Sequence, residues 1–186
     1  MNKFTIGCAL LATLVFGVVA VAQEKGMDMT KAKSALMGDL AGNLDDVESK
    51  LVSLAEATPQ EKFTWRPAEG VRSVSEVFMH VVGGNYFVLS FAGVKPPPMD
   101  RDAEKKVTEK AKIIEMLKAS FAHVRNAAMK ASDEDLNKKT KMFGRETTNR
   151  VVYLTILSHA HEHMGQSIAY ARMNGITPPW SRGEGN

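Results

Sequence analysis

The sequence predicts an all-α protein built as a four-helix bundle with long inter-helix connections. Four stretches of about 20 to 28 residues repeat apolar side chains at helical spacing, no stretch alternates as a strand would, and proline or glycine separates them. Helices of that length each bury one apolar stripe, and four of them close economically around one core. The 186 residues suit a single domain, and a composition of 44% hydrophobic and 24% charged residues fits neither disorder nor a fibrous repeat.

Before the first helix, Met1-Asn2-Lys3-Phe4 leads into an apolar run from Thr5 to Ala22. Ala20-Val21-Ala22 offers the small residues a signal peptidase accepts before Gln23. Residues 1–22 are therefore expected to be a signal peptide and the protein periplasmic or secreted. The alternative is a retained membrane anchor, which the length of the run just permits. After cleavage no stable membrane insertion is expected. Residues 23–29 would form a flexible N-terminal segment, 30–181 the bundle domain and 182–186 a tail. Cleavage would also remove Cys8, the sole cysteine, leaving neither a disulfide nor a cysteine nucleophile. Without Lys3, 23 basic residues face 21 acidic ones, interleaved rather than gathered in a stripe, so nucleic acid is not an expected partner.

The first helix, Thr30 to about Ala57, carries Met37, Leu40, Leu44, Val47, Leu51 and Leu54 on one face. Thr58-Pro59 stops it, because proline restricts the preceding residue and supplies no amide hydrogen. Phe63 to Arg72 reads as a loop. Ser73-Val74-Ser75-Glu76 is a capping box that starts a second helix reaching about Ala92, with Val77, Val81, Tyr86, Val88 and Phe91 inward. Gly83-Gly84 costs that helix roughly 1 kcal/mol per glycine and suggests a close backbone approach. Gly93 and Pro96-Pro97-Pro98 end it and force an extended connection. A third helix runs from about Thr108 to Ala131 with Ile113, Ile114, Leu117, Phe121, Val124 and Ala128 at helical spacing. Ser132 to Glu146 forms another long connection. The fourth helix spans roughly Thr148 to Met173 and closes at Asn174-Gly175.

Three of the five histidines fall in the fourth helix as His159, His161 and His163. Residues four apart share a face, so His159 and His163 can chelate one metal ion, whereas His161 is turned by about 200° and points elsewhere. Such pairs also occur as plain polar surface. His80 on the second helix, among Val77, Val81 and Val82, can supply a third ligand from a facing helix; alone, it would read as a core histidine bonded to a carbonyl. His123 on the third helix has no such support and is taken as structural.

Phe63-Thr64-Trp65-Arg66-Pro67-Ala68-Glu69-Gly70-Val71-Arg72-Ser73-Val74-Ser75-Glu76-Val77-Phe78-Met79-His80 closely resembles the segment leading into the second helix of the DinB (DinB/YfiT-like) family. His159-x-x-x-His163-x-Gly165-Gln166, followed by Tyr170-Ala171-Arg172 and Gly175-Ile176-Thr177-Pro178-Pro179-Trp180, resembles that family's C-terminal signature. The resemblance covers nearly the whole mature chain. It implies a bundle with a long crossover connection and a site where His80, His159 and His163 bind one divalent metal. The export signal departs from intracellular members and weakens any role tied to cytoplasmic thiols.

Three neutral imidazoles suit zinc or nickel first, and iron or manganese next, and they leave a coordination position open. Glu76, one turn before His80, reads as a capping residue with a metal-orienting role as the alternative. Gln166 can support a ligand, and Gly165 is expected to admit a neighbouring helix. Trp65 and Trp180 could line the mouth of the site or cap the ends of the core. The eleven methionines are scattered and read as core filling.

The expected function is a metal-dependent hydrolase or thiol-dependent transferase acting on an unidentified small molecule. The alternative is a non-catalytic metal-binding or stress-associated bundle. No catalytic residue can be named from the sequence, Glu76 and Glu162 being the carboxylates nearest the ligands. Exposed apolar helix faces would favour a homodimer.

Overall fold

The computed structural model describes residues 28–181; the expected signal peptide, residues 23–27 and the tail 182–186 lie outside the described residues. Four long helices form the bundle: α1 (Ala35–Ala57), α2 (Val74–Ser90), α4 (Lys110–Lys130) and α6 (Asn149–Met173). Two short helices, α3 (Ala103–Lys106) and α5 (Asp133–Asn137), and one hairpin of β1 (Lys139–Met142) and β2 (Arg145–Thr148) occupy the connections.

Both α4 and α6 pack against α1 and α2, so α1 and α2 stand across a diagonal of the bundle. The core between them is the stripe legible in the sequence: Met37, Leu44 and Leu51 from α1, Val77 and Val81 from α2, Ile113, Leu117 and Phe121 from α4, and Val152, Ile156 and Ala160 from α6. Among the described residues no helix is long and apolar enough to cross a membrane.

Local chemistry sets the helix ends. Thr58, extended before Pro59, terminates α1 and returns its hydroxyl to the Leu54 carbonyl at 2.8 Å. Both halves of the predicted capping box start α2: Ser73 Oγ accepts from the Glu76 amide at 3.3 Å, and Glu76 Oε2 accepts from the Ser73 amide at 2.6 Å. Gly175 adopts φ 72° after α6, and the Ile176 amide reaches back to the Ala171 carbonyl at 2.9 Å, a closure that favours glycine at this position.

The connections hold more structure than the sequence suggested. Within the long connection expected from Ser132 to Glu146, Ser132 caps α5 through a second capping box, and β1 pairs with β2. The strands are four residues each and largely polar, with Met142 the one buried position, so they present no alternating apolar pattern to read. Their two-residue turn places Phe143 at φ 49° and Gly144 at φ 81°. The Thr140 hydroxyl donates to the Phe91 carbonyl at 2.6 Å and fastens the hairpin to the end of α2.

Candidate metal centre

Helix α2 contributes His80, and α6 contributes His159 and His163 from successive turns of one face. The structure brings these three histidines together. Ring centroids lie 5.0 Å apart for His80 and His159, 4.7 Å for His80 and His163, and 4.5 Å for His159 and His163. One nitrogen from each ring falls within 4.8 Å of the other two, a group capable of holding a metal ion. His161 is exposed and donates through Nδ1 to the Leu157 carbonyl at 2.9 Å, away from the cluster. His123 lies on α4 with its ring edge-on to Tyr86 at 5.4 Å.

Outer partners fix two of the rings. His80 Nδ1 donates to Glu104 Oε2 at 3.0 Å, and Glu104 Oε1 accepts from Arg72 Nε at 2.7 Å. His163 Nδ1 donates to Gln166 Oε1 at 2.8 Å; Gln166 Nε2 donates to the Tyr170 hydroxyl at 3.0 Å, and that hydroxyl donates to the Arg72 carbonyl at 3.2 Å. Arg72 thus joins the supports of both rings. With Nδ1 occupied, His80 and His163 each keep the Nε2 lone pair for a ligand.

His159 is held differently. Its Nδ1 is buried without a hydrogen-bond partner. Its ring lies against Gly84, where an added Cβ would collide with Cε1 and stand 2.8 Å from Nδ1. The close approach anticipated at Gly83-Gly84 is therefore between Gly84 and an imidazole. At Gly165 the expectation fails: a Cβ there would meet nothing within 4 Å, so no neighbouring helix uses the space.

Burial favours the neutral form of the two α6 rings. Burial pushes His159 down to about 4, with His163 and His80 acting in the same direction. Burial also lowers His163, against the opposing effect of its bond to Gln166. Burial would raise the Glu104 carboxyl, but the bonds from Arg72 and His80 hold it below the usual carboxylate range. Three imidazoles, two oriented by outer partners and one with an unpartnered buried nitrogen, fit a divalent metal ion.

The cluster opens on a cavity of about 650 Å³ lined by His80, Gly84, His159 and Glu162, with Phe87 and Phe143 along its wall. A larger groove of about 970 Å³ follows the start of α1 but contains none of the histidines. Neither tryptophan lines the histidine cavity. Trp65 packs edge-on against Tyr170 at 5.5 Å, behind the support of His163, and Trp180 lies in the final 3-10 turn, which contacts α1.

Glu76 spends its carboxylate on Ser73 and on Arg66, 3.2 Å away, rather than on His80, which leaves the capping reading. The carboxylate that does reach His80 is Glu104, and sequence reasoning missed it. Its one signal is an acidic residue beyond the proline run, which spacing alone could not connect to His80.

The family model described as the DinB superfamily matches residues 43–167, a span that includes all three histidines. No curated protein matches the chain. Among solved structures, a DinB-like protein from Bacillus cereus superposes with a TM-score of 0.65 at 22% identity, covering 72% of this chain and 89% of that one. A DinB-like protein, YjoA, from Bacillus subtilis gives 0.60 at 18% identity over 75% of this chain and 93% of its own. A conserved protein from Enterococcus faecalis gives 0.63 at 18% identity, with 72% and 94% covered.

Proposed function

The chain belongs to the DinB superfamily, and from this membership and the histidine cluster we propose that it binds one divalent metal ion through His80, His159 and His163. On this reading it acts as a metal-dependent hydrolase or thiol-dependent transferase on a small molecule. The observation that carries the proposal is the convergence of three imidazole nitrogens within 4.8 Å, with His80 and His159 lining an open cavity. Their imidazole nitrogen chemistry favours zinc or nickel, then iron or manganese.

When bound, the ion would supply Lewis acidity to a substrate oxygen, a thiol or water. The protein's own groups do the rest. Glu104 and Gln166 hold the His80 and His163 rings in the tautomer that leaves Nε2 free for a ligand. Gly84 leaves room for the His159 ring. Glu162 lines the cavity and has no ion-pair partner among the described residues, so it is the carboxylate available to accept a proton from a bound substrate.

The site of action on this reading is outside the cytoplasm, supported by the apolar run from Thr5 to Ala22 and by Ala20-Val21-Ala22.

Elemental analysis of the mature, tag-free protein beside His80→Ala and His163→Ala tests the metal assignment. One equivalent in the wild type and none in either variant is expected. No metal after reconstitution with zinc, nickel, iron or manganese would overturn it. A screen of the loaded protein with ester, amide and thiol-transfer substrates then tests the enzymatic reading, with turnover lost on metal removal as the expected result.

A further inference from the structure

We propose that the cavity above the histidines binds a small molecule carrying an aromatic arm, with Phe87 and Phe143 as the residues that select it. The proposal rests on the reading of the histidine cluster as the reacting end of the same site.

Phe87 is 57% exposed and Phe143 is 61% exposed, although both are large apolar rings. Single exposed phenylalanines are ordinary. These two differ in being neighbours: their ring centroids lie 6.2 Å apart, and Phe91 sits 5.2 Å from one and 5.3 Å from the other. Phe87 follows His80 by two helical turns and so shares its face of α2. Phe87, Phe143, His80 and His159 line one cavity, and Met79 and Met99 extend its apolar surface.

The backbone supplies a second, independent observation. A two-residue hairpin turn with left-handed geometry at both central positions favours asparagine, aspartate or glycine at the first. Here that position is Phe143 at φ 49°, a conformation that bulky side chains avoid. Burial does not offset the strain, because the ring remains mostly exposed. Strain that burial does not offset clusters at ligand-binding positions.

The turn that carries the ring is also anchored rather than left as a free loop. Met142 is buried beside it, and Thr140 fastens β1 to the Phe91 carbonyl. A volume of about 650 Å³ suits a small ligand rather than a peptide segment. One end of such a ligand would reach the histidines while its aryl group lies against Phe87 and Phe143.

Two probes test the arrangement. On metal-stripped protein, anilinonaphthalene sulfonate is titrated by fluorescence; one saturable site is expected in the wild type, lost in both Phe87→Ala and Phe143→Gly. On zinc-loaded protein, benzohydroxamate is expected to bind about tenfold more tightly than acetohydroxamate, with the preference falling below about twofold in either variant. Phe143→Gly relieves the turn and Phe87→Ala leaves it untouched, so agreement between them cannot arise from a lost hairpin. No saturable fluorescence site in the wild type, or one that survives in both variants, overturns the proposal. So does a dimer that Phe143→Gly converts to monomer without any probe binding, since a second copy would then cover the patch. Failure of zinc to bind would count against the metal reading alone, because the fluorescence titration decides this one without metal.

Discussion

Glu104 and His80 are joined by a 3.0 Å hydrogen bond that runs from the four-residue helix α3, in the long connection, to the middle of α2. The connection is thereby part of the site, since it carries the group that orients a candidate ligand. Glu104→Ala is expected to weaken metal affinity by about 10- to 100-fold, the usual cost of losing such an outer partner. Competition against a chelating dye measures it, and unchanged affinity would show that Glu104 does not position His80.

His159→Ala should abolish stoichiometric metal binding, while His161→Ala should retain it, because His161 points to solvent and bonds to its own helix. Metal content after dialysis distinguishes the pair. Equal loss in both would overturn the ligand assignment.

Gly84→Ala is expected to lower metal affinity by about tenfold or more, in the range that a mispositioned ligand costs. The added methyl must displace the His159 ring. Gly83→Ala is the matched control: its Cβ would meet only Met99 Cε, at an ordinary 3.8 Å. Both substitutions improve helix propensity by roughly 1 kcal/mol, so a difference between them reports the ring and not the helix.

Metal-free protein should lose stability as pH falls from about 6.5 toward 4, the window between the ordinary histidine value and that of buried His159. Within it the unfolded chain binds a proton that folded His159 refuses, so protonation favours unfolding. Stability from this source is fully present above the window and lost through it. Denaturant midpoints at several pH values, compared with His159→Gln, should show a flatter acid limb in the variant.

Expressed with its own N-terminus in a host with a Sec pathway, the protein should be recovered outside the cytoplasm beginning at Gln23. N-terminal sequencing checks this, and an intact Met1 in the membrane fraction would favour the anchor instead.

The four long helices were legible because each carries an apolar stripe long enough to show its period, and their ends because Pro59, Ser73 and Gly175 act locally. His159 and His163 were legible for the same reason, being one turn apart on a helix. Glu104 was not: it lies on a single turn beyond a proline run, and only the path of the connection brings it to His80. Phe143 was hidden by a hairpin too short and too polar to announce itself. Trp65 misled in the opposite way, since its nearness to a ligand-bearing motif did not say that its ring turns to Tyr170.

The diagonal placement of α1 and α2 bears on the order of assembly. His80 meets its two companions only after α6, the fourth of the described long helices in chain order, has docked against α2. A chain stopped before α6 carries one of the three histidines and cannot chelate. On the proposed metal reading, metal uptake would report completion of the bundle, and contacts so distant along the chain, whose closure entropy must be met first, belong to its late stages.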